Sequence, residues 1–400
     1  MPKYLNTLDL RVDKLIWRGR GLARTAEGKA TIVEPGVLPG ERIRAGVYKE
    51  KKDHLLARAV QILESNPGRR SHPCVHGPDC GACPLAIIPN RSALQIKKDI
   101  LLDTLNRQLS RELSVKAAAM LKIHPSTRAW RYRFRGQVHV LNGKPHFMQS
   151  SANIPVPFRD CKIFARPLNA VLEKKSAGVA DGRQLIAASP YDGEVAWAFE
   201  EKKLVLPLDP WGIRLYINPD SFFQANWGQN KGLVSLILDS CAGYFRVADL
   251  YAGSGNFSLP LAASGHEVLA VEGSNRAVQE GKENAKINKV QNVEFIRTDL
   301  SRPGKSWQPV SSFSPQCVVA DPPRSGGGKA VHSLKDIPGL ERIVWVSCDI
   351  VNSCRDLKPL LEQGWELSAV HIVDMFPQTW HMEVVILLDK IKAGTRSFWH

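Results

Sequence analysis

The sequence predicts a multidomain α/β protein: an N-terminal OB-like β-barrel, a central β-rich segment carrying a cysteine loop, and a C-terminal doubly wound, Rossmann-like domain. Three observations predict it. Residues 8–62 divide into five short strand-like runs between glycine turns, the pattern of a small barrel. Cys74, Cys80 and Cys83 crowd one loop in the middle of the basic part of the chain. After Pro219, apolar strand runs alternate with helical periodicity to the end. The boundaries fall at 1–65, 66–218 and 219–400.

At 400 residues and 44% hydrophobic content the chain can bury a sizeable core in two or three domains. The start, Met1–Lys14, has no apolar leader, and no apolar run is long enough for a membrane span, so a cytoplasmic protein without membrane contact is expected. Eight unevenly spaced cysteines suit metal binding or catalysis in a reducing compartment better than a disulfide scaffold. After residue 240 the 17 basic and 17 acidic residues cancel, so the whole net charge of +15 lies in the first 240. That asymmetry suggests a basic half holding a polyanion for a neutral half that does chemistry on it. Trp130–Arg135, WRYRFR, interleaves cations with aromatics and points to nucleic acid.

Taken in order, the barrel runs are LRVDKLIW, GRGLA, ATIVEP, ERIRAGVYKE and ARAVQIL, with Pro39-Gly40-Glu41 as one turn. The cysteines that follow are spaced C-x5-C-x2-C, and Cys161 is the only other cysteine in the basic half. Four thiolates suit zinc or a [4Fe–4S] cluster; structural zinc usually takes paired C-x2-C knuckles, and this loop has one, which favours iron–sulfur. Between 93 and 114, leucines and isoleucines at helical spacing predict one amphipathic helix, able to pack on the C-terminal domain, with Lys97, Lys98, Arg107 and Arg111 solvated. From 130 to 217 an antiparallel sheet is expected, with a helix near 165–175. Further strands are expected at 247, 267, 293, 317, 342, 368 and 383.

Val247–Leu261, VADLYAGSGNFSLPL, reads as strand, tight turn and helix, a cofactor cradle. A dinucleotide fingerprint has a third glycine where this chain has Ser258, which ranks S-adenosylmethionine above NAD. Glu272, at the tip of the next strand, can take both ribose hydroxyls of an adenosine, although a plain βα turn with a surface glutamate reads the same in isolation. SFFQAN, VADPPRSG, VWVSCD and DMFPQTWHME lie where loops at the carboxyl ends of the strands belong. Asp321, Cys348 and Asp374 each follow an apolar strand, and Glu383 lies close by.

The barrel with its PGVLPGERI stretch, the cysteine loop, FFQ-x-N, DLY-x-G-x-G-N-F, DPPR-x-G, S-C-D and DMFP-x-T-x-H-x-E occur in that order. Together they resemble the RNA 5-methyluridine methyltransferases over nearly the whole chain, and the first stretch resembles the TRAM domain of RNA-modifying enzymes. The resemblance implies that Gln224, Tyr251, Asn256, Glu272, Asp299 and Asp321 line an S-adenosylmethionine pocket, that Cys348 is the nucleophile and that Glu383 is the base. It implies a monomer acting on RNA, with ribosomal RNA, as in the 23S branch, favoured over transfer RNA.

The chemistry asks for the same residues. C5 of uracil is too weak a nucleophile to take a sulfonium methyl until a thiolate adds to C6, and the C5 proton must leave before that thiolate can be eliminated. A uridine in a stem would have to be flipped out to reach these groups. The family usually follows its nucleophile with Asn-Pro, and this chain has Asp349-Ile350, which predicts a looser turn and a thiol pKa raised by the added carboxylate. Cys354, Cys241 and Cys317 are expected in the core. A 5-methylcytosine RNA methyltransferase would place its cysteine beside the fourth strand, where DPPR stands. A catalytically silent RNA-binding protein is the reading from another class.

Overall fold

The computed structural model describes residues 4–149 and 154–391, and the element counts are of those residues. Alternating apolar residues turn inward and close the first segment into a barrel. Its strands are β1 (Asn6–Ile16), β2 (Arg20–Arg24), β3 (Ala30–Val33), β4 (Arg42–Glu50) and β5 (His54–Glu64), paired in the order β1-β2-β3-β5-β4 and closed by β1 against β4. At the Pro39-Gly40-Glu41 turn, Gly40 takes φ +81°. Glu41, fully buried, accepts hydrogen bonds from the Leu38 amide (2.8 Å) and the Asn66 amide (3.2 Å) and pairs with Arg69. The turn thus ties the barrel to the chain that leads into the cysteine loop.

That loop holds one short helix, α1 (Gly77–Cys80), and is followed by α2 (Asn90–Gln108), α3 (Arg111–Met120) and β6 (Leu121–His124). The single helix expected over 93–114 is therefore two. The chain breaks at Leu109, and the Ser110 hydroxyl accepts from the Leu113 amide as the cap of α3. Nor is Lys97 solvated: it is 1% exposed, on the inner face of α2.

The central sheet consists of β7 (Arg135–Leu141), β8 (Lys144–Met148), β9 (Pro155–Pro157), β10 (Gly182–Ala188) and β11 (Val195–Trp197), in the order β11-β10-β7-β8-β9. Leu168 and Leu172 of α4 (Arg166–Ser176) close its core against Val138, Val140 and Ile186. The run at 213–217, expected in this sheet, instead forms a separate hairpin of β12 (Leu204–Leu208) with β13 (Ile213–Ile217). Asn284 and Asn288 bind that hairpin, accepting from the Tyr216 and Arg214 amides at 2.8 Å each.

The C-terminal elements are α5 (Trp227–Cys241), β14 (Arg246–Leu250), α6 (Ser258–Ala263), β15 (Glu267–Glu272), α7 (Asn275–Ile287), β16 (Val293–Arg297), α8 (Gln308–Phe313), β17 (Cys317–Ala320), β18 (Arg342–Ser347), α9 (Ile350–Leu361), β19 (Trp365–Val373) and β20 (Glu383–Lys390). The sheet order is β16-β15-β14-β17-β18-β20-β19-β6, with β20 antiparallel to both its neighbours. Val247 and Val319 face one core while Ala248 and Val318 face the other, as a sheet covered on both sides requires. The outermost strand, β6, runs parallel to β19. Leu101 and Leu105 of α2 share one core with Leu357 and Leu361 of α9 and with Leu10 and Leu15 of the barrel. Residues 90–124 therefore pack as part of the C-terminal sheet. No described helix is long and apolar enough to cross a membrane.

Candidate active site

The strand order reverses at β14, with β15 and β16 to one side and β17 and β18 to the other, which opens a crevice at the carboxyl ends of β14 and β17. The turn after β14 runs through left-handed backbone at Tyr251 (φ +62°), Gly253 (+56°) and Gly255 (+100°). A Cβ at Gly255 would lie 2.9 Å from Leu259 and 3.2 Å from Phe295, so the position needs glycine for space as well as for φ. Ser258, which replaces the third glycine of a dinucleotide fingerprint, donates to Asp249 Oδ2 at 2.5 Å and pins the start of α6 to the buried end of β14. Burial pushes Asp249 up to about 7, and its Oδ1 has no partner.

Gln224, Tyr251, Asn256 and Asp321 line one cavity with Gly253, Phe222 and Phe223. Gln224 Nε2 lies 3.5 Å from Asp321 Oδ2. The amides of Asn256 and Asn230 bond reciprocally at 2.7 and 3.1 Å. The Tyr251 hydroxyl is buried without a partner, and a Cβ on Gly327 would come within 3.0 Å of it. Glu272 stands behind the loop, accepting from the Gly253 amide (3.0 Å) and the Ser274 amide (2.7 Å), one bond to each carboxylate oxygen. Lone pairs remain on both oxygens. Asp299 is outside this cavity: it is exposed, and its bonds from Ser301, with Arg302 at 3.1 Å, hold its carboxyl below the usual range. Sequence reasoning missed Glu280. Buried on α7, it accepts from Ser221 (2.8 Å), Ser254 (2.6 Å) and the Asn218 amide (2.9 Å), joining the SFFQAN segment to the glycine loop.

Ser347 pairs with Val384 in the antiparallel ladder of β18 and β20, so the next residues outward, Cys348 and Glu383, lie opposite each other at the lip of the crevice. Burial and then the Glu383 carboxyl push the half-buried Cys348 thiol up to about 12, with Asp321 adding to the effect and Arg324 opposing it. Burial and Asp321 hold Glu383 well above the usual carboxyl range, and Arg324 again opposes. Asp321 rises to about 7 through burial and the charge of Asp249. Arg324, the cation of this cluster, stands in the DPPR motif, but its role was not legible in the sequence. His381, stacked on Trp380 at 3.6 Å between ring centres, is pushed down to about 3 by burial and nearby cations.

The Asp349 carboxylate accepts from the Asn352 amide (3.1 Å) as the N-cap of α9, and after burial the leading charges acting on Cys348 are those of Glu383, Arg324 and Asp321. The turn is held without proline, because the Asp349 amide donates to the Ser347 hydroxyl (3.0 Å) and the Asp349 carbonyl accepts from the Ser353 hydroxyl (2.9 Å). Cys354, Cys241 and Cys317 are buried, the last two with their sulfurs 3.7 Å apart. Asp374 does not join Cys348 and Glu383 but pairs with Lys97 (2.7 Å). Of the WRYRFR rings, that of Tyr132 is buried, whereas Trp130 and Phe134 are half-buried. Tyr132 donates to the Pro377 carbonyl (3.0 Å), Arg131 pairs with Asp160, and Arg135 lies over the Phe222 and Phe223 rings at 5.3 and 5.2 Å.

Cys74, Cys80, Cys83 and Cys161 line a second cavity, of about 170 Å³, together with Trp130, Arg133, Phe147 and Phe158. Asn169 grips the backbone of Cys161 from both sides, at 2.9 and 3.0 Å, and His72 lies between the carbonyls of Cys74 and Cys83 at 3.1 and 3.2 Å. Burial and the neighbouring thiols raise Cys83, and burial raises Cys161 to about 11. Among the described residues, no three His, Cys, Asp or Glu side chains converge as ligands of a single ion.

A family profile described as tRNA (Uracil-5-)-methyltransferase matches residues 203–391. The 23S rRNA (uracil(1939)-C(5))-methyltransferase RlmD of Pseudomonas entomophila is 30% identical over 426 residues, covering 95% of this chain and 93% of that one. An uncharacterized RNA methyltransferase of Thermotoga maritima is 29% identical over 445 residues, covering 95% and 98%. Among solved structures, the Pyrococcus abyssi tRNA (uracil-54, C5)-methyltransferase in complex with S-adenosyl-L-homocysteine has the same fold, with a TM-score of 0.72 at 21% identity over 95% of this chain and 99% of that one. With a relative at this identity matched along nearly its full length, the chain belongs to the family of S-adenosylmethionine-dependent RNA uracil-C5 methyltransferases.

Proposed function

We propose that the protein methylates C5 of a uridine in ribosomal RNA through a covalent bond between Cys348 and C6 of the base. The observation that carries this reading is the placement of Cys348 and Glu383 one step beyond Ser347 and Val384, the last pair of the β18–β20 ladder, with the Glu383 carboxyl acting on the Cys348 thiol. The choice of ribosomal RNA rests on relatives named for 23S rRNA. Gln224, Tyr251, Asn256 and Asp321 would hold S-adenosylmethionine, with Glu272 behind the loop, and the unpartnered Tyr251 hydroxyl suits a polar ligand. When bound, that cofactor supplies the methyl group and a positive sulfonium, which favours the ionised forms of the acids and thiol around it. Cys348 gives up its proton to water and adds as the thiolate through sulfur to C6, breaking the C5–C6 π bond and leaving its electron pair at C5. Once C5 is methylated, its proton passes to the Glu383 carboxylate and the C6–S bond breaks, restoring the thiolate.

The four cysteines of the second cavity suit a [4Fe–4S] cluster with a structural role. What supports this reading is that all four thiols line one cavity, of about 170 Å³.

RNA carrying 5-fluorouridine tests the mechanism, because fluorine leaves Glu383 no proton to remove. With cofactor present, a denaturing gel should show protein bound covalently to RNA, and Cys348→Ala should abolish both the adduct and turnover. An adduct lost in Cys354→Ala but kept in Cys348→Ala would move the nucleophile, and full turnover by Cys348→Ala would overturn the mechanism.

A further inference from the structure

Glu383 closes a ten-residue segment, 374–383, that the rest of the C-terminal domain holds only in part. Asn226 donates to the Met375 carbonyl (3.2 Å). The next three carbonyls are gripped from the N-terminal half: Phe376 by Lys97 Nζ (3.0 Å), Pro377 by the Tyr132 hydroxyl (3.0 Å) and Gln378 by the Leu85 amide (3.0 Å). Further along, Trp380 packs edge-on against Trp17 of the barrel, ring centres 5.3 Å apart. Lys97 is the anchor that chain geometry alone does not explain. Its ammonium is 1% exposed and lies 2.7 Å from Asp374, itself 0% exposed. Burying two charges is unfavourable unless their geometry serves something that apolar packing cannot, and a well-packed apolar pair of similar volume is often at least as stable. Here the ammonium bridges a side chain and a carbonyl two residues further on, and so sets the direction in which the segment leaves β19.

We propose that Lys97 is a positioning residue for proton removal from C5: by holding Asp374 and the Phe376 carbonyl it fixes segment 374–383 so that Glu383 stays opposite Cys348. This rests on the reading of Glu383 as the base. Lys97 touches neither reacting atom, and its effect passes through the backbone of the segment.

The test compares wild type, Asp374→Asn, the neutral pair Lys97→Gln with Asp374→Asn, Lys97→Arg and Glu383→Gln, in the full-length protein. Thermal unfolding establishes that each variant folds. Single-turnover gels on ordinary RNA then separate adduct formation from product release, and 5-fluorouridine RNA reports C6 addition alone. In the neutral pair, product release should slow on the order of 10²-fold, as expected for a misplaced catalytic group, with adduct accumulating on ordinary RNA as in Glu383→Gln. Cofactor binding and adduct formation on 5-fluorouridine RNA should stay at wild-type levels, and Lys97→Arg should recover most of the release rate. A folded neutral pair that releases product at the wild-type rate overturns the proposal, as does one in which addition and release fall together, the mark of a merely structural role. If Glu383→Gln itself releases product normally, the base assignment fails and takes this proposal with it; if only the Lys97 and Asp374 variants do, the positioning role alone fails.

Discussion

The proposed mechanism asks Cys348 to attack a pyrimidine from a place where its proton is hard to lose. Burial and two carboxyls hold Cys348 up to about 12, and Arg324 is the cation that works against them. Adduct formation on 5-fluorouridine RNA should therefore rise with pH across the neutral range. Arg324→Met should move that rise to higher pH and slow addition about tenfold at pH 7, the effect of roughly one unit of thiol pKa; an unmoved pH profile would show that the guanidinium does not act on the thiol. Asp249 titrates in the opposite sense to an ordinary salt-bridged aspartate. Folded, it keeps its proton to about 7, whereas its unfolded value lies near 3.8. The folded chain thus binds the extra proton between those values, so stability falls as pH climbs from about 4 through about 7 and levels off above, by at most about 1.4 kcal/mol per pH unit. Asp249→Asn should flatten this dependence, measured as a smaller difference in Tm between pH 5 and pH 8. Asp321, Cys348 and Glu383 were legible in the sequence because each closes or opens an apolar strand. Glu280 was not, because a buried glutamate on a helix looks like any charged residue until the hydroxyls it serves are brought to it.

Helix α9 is capped by Asp349, whose carboxylate accepts from the Asn352 amide and helps to fix the turn. Asp349→Ala should lower stability by about 1 kcal/mol, the usual effect of losing such a cap, whereas Asp349→Asn should keep both stability and the rate of adduct formation. A large gain in addition rate with asparagine would mean that the carboxylate does reach the thiol. For the cysteine loop, protein purified without oxygen should be brown and contain iron and sulfide. Zinc alone in metal analysis would remove the cluster, and replacing Cys161 should release the 74–83 loop to proteolysis. Most strands of the C-terminal sheet were legible from their apolar runs. The break between α2 and α3 was not, because Leu105, Leu109 and Leu113 carry the helical period straight across a serine whose capping role depends on backbone already turned.

The basic half and the catalytic sheet are not separable bodies, since α2 and β6 complete the core and edge of that sheet. A fragment of residues 1–240 would leave their apolar faces uncovered, and should fail to unfold cooperatively on heating. A clean two-state melt for that fragment would show that the two halves fold independently. In the full-length protein, RNA affinity should fall steeply and linearly in log–log terms with salt, because contacts to phosphate release counterions; a flat dependence would remove the charge argument. At this scale the sequence was least legible: Lys97 and Asp374 are 277 positions apart, and nothing in either neighbourhood marks the other as its partner. The edge strand has a consequence for synthesis. Leu121 pairs with Val370, so a translating ribosome releases β6 and the greasy side of α2 long before β19 exists to receive them. The barrel, closed by its own strands, can form as soon as it emerges. The stretch behind it has to wait, exposed, for nearly the last strand made, and it is this stretch of the nascent chain that chaperones would be expected to shield.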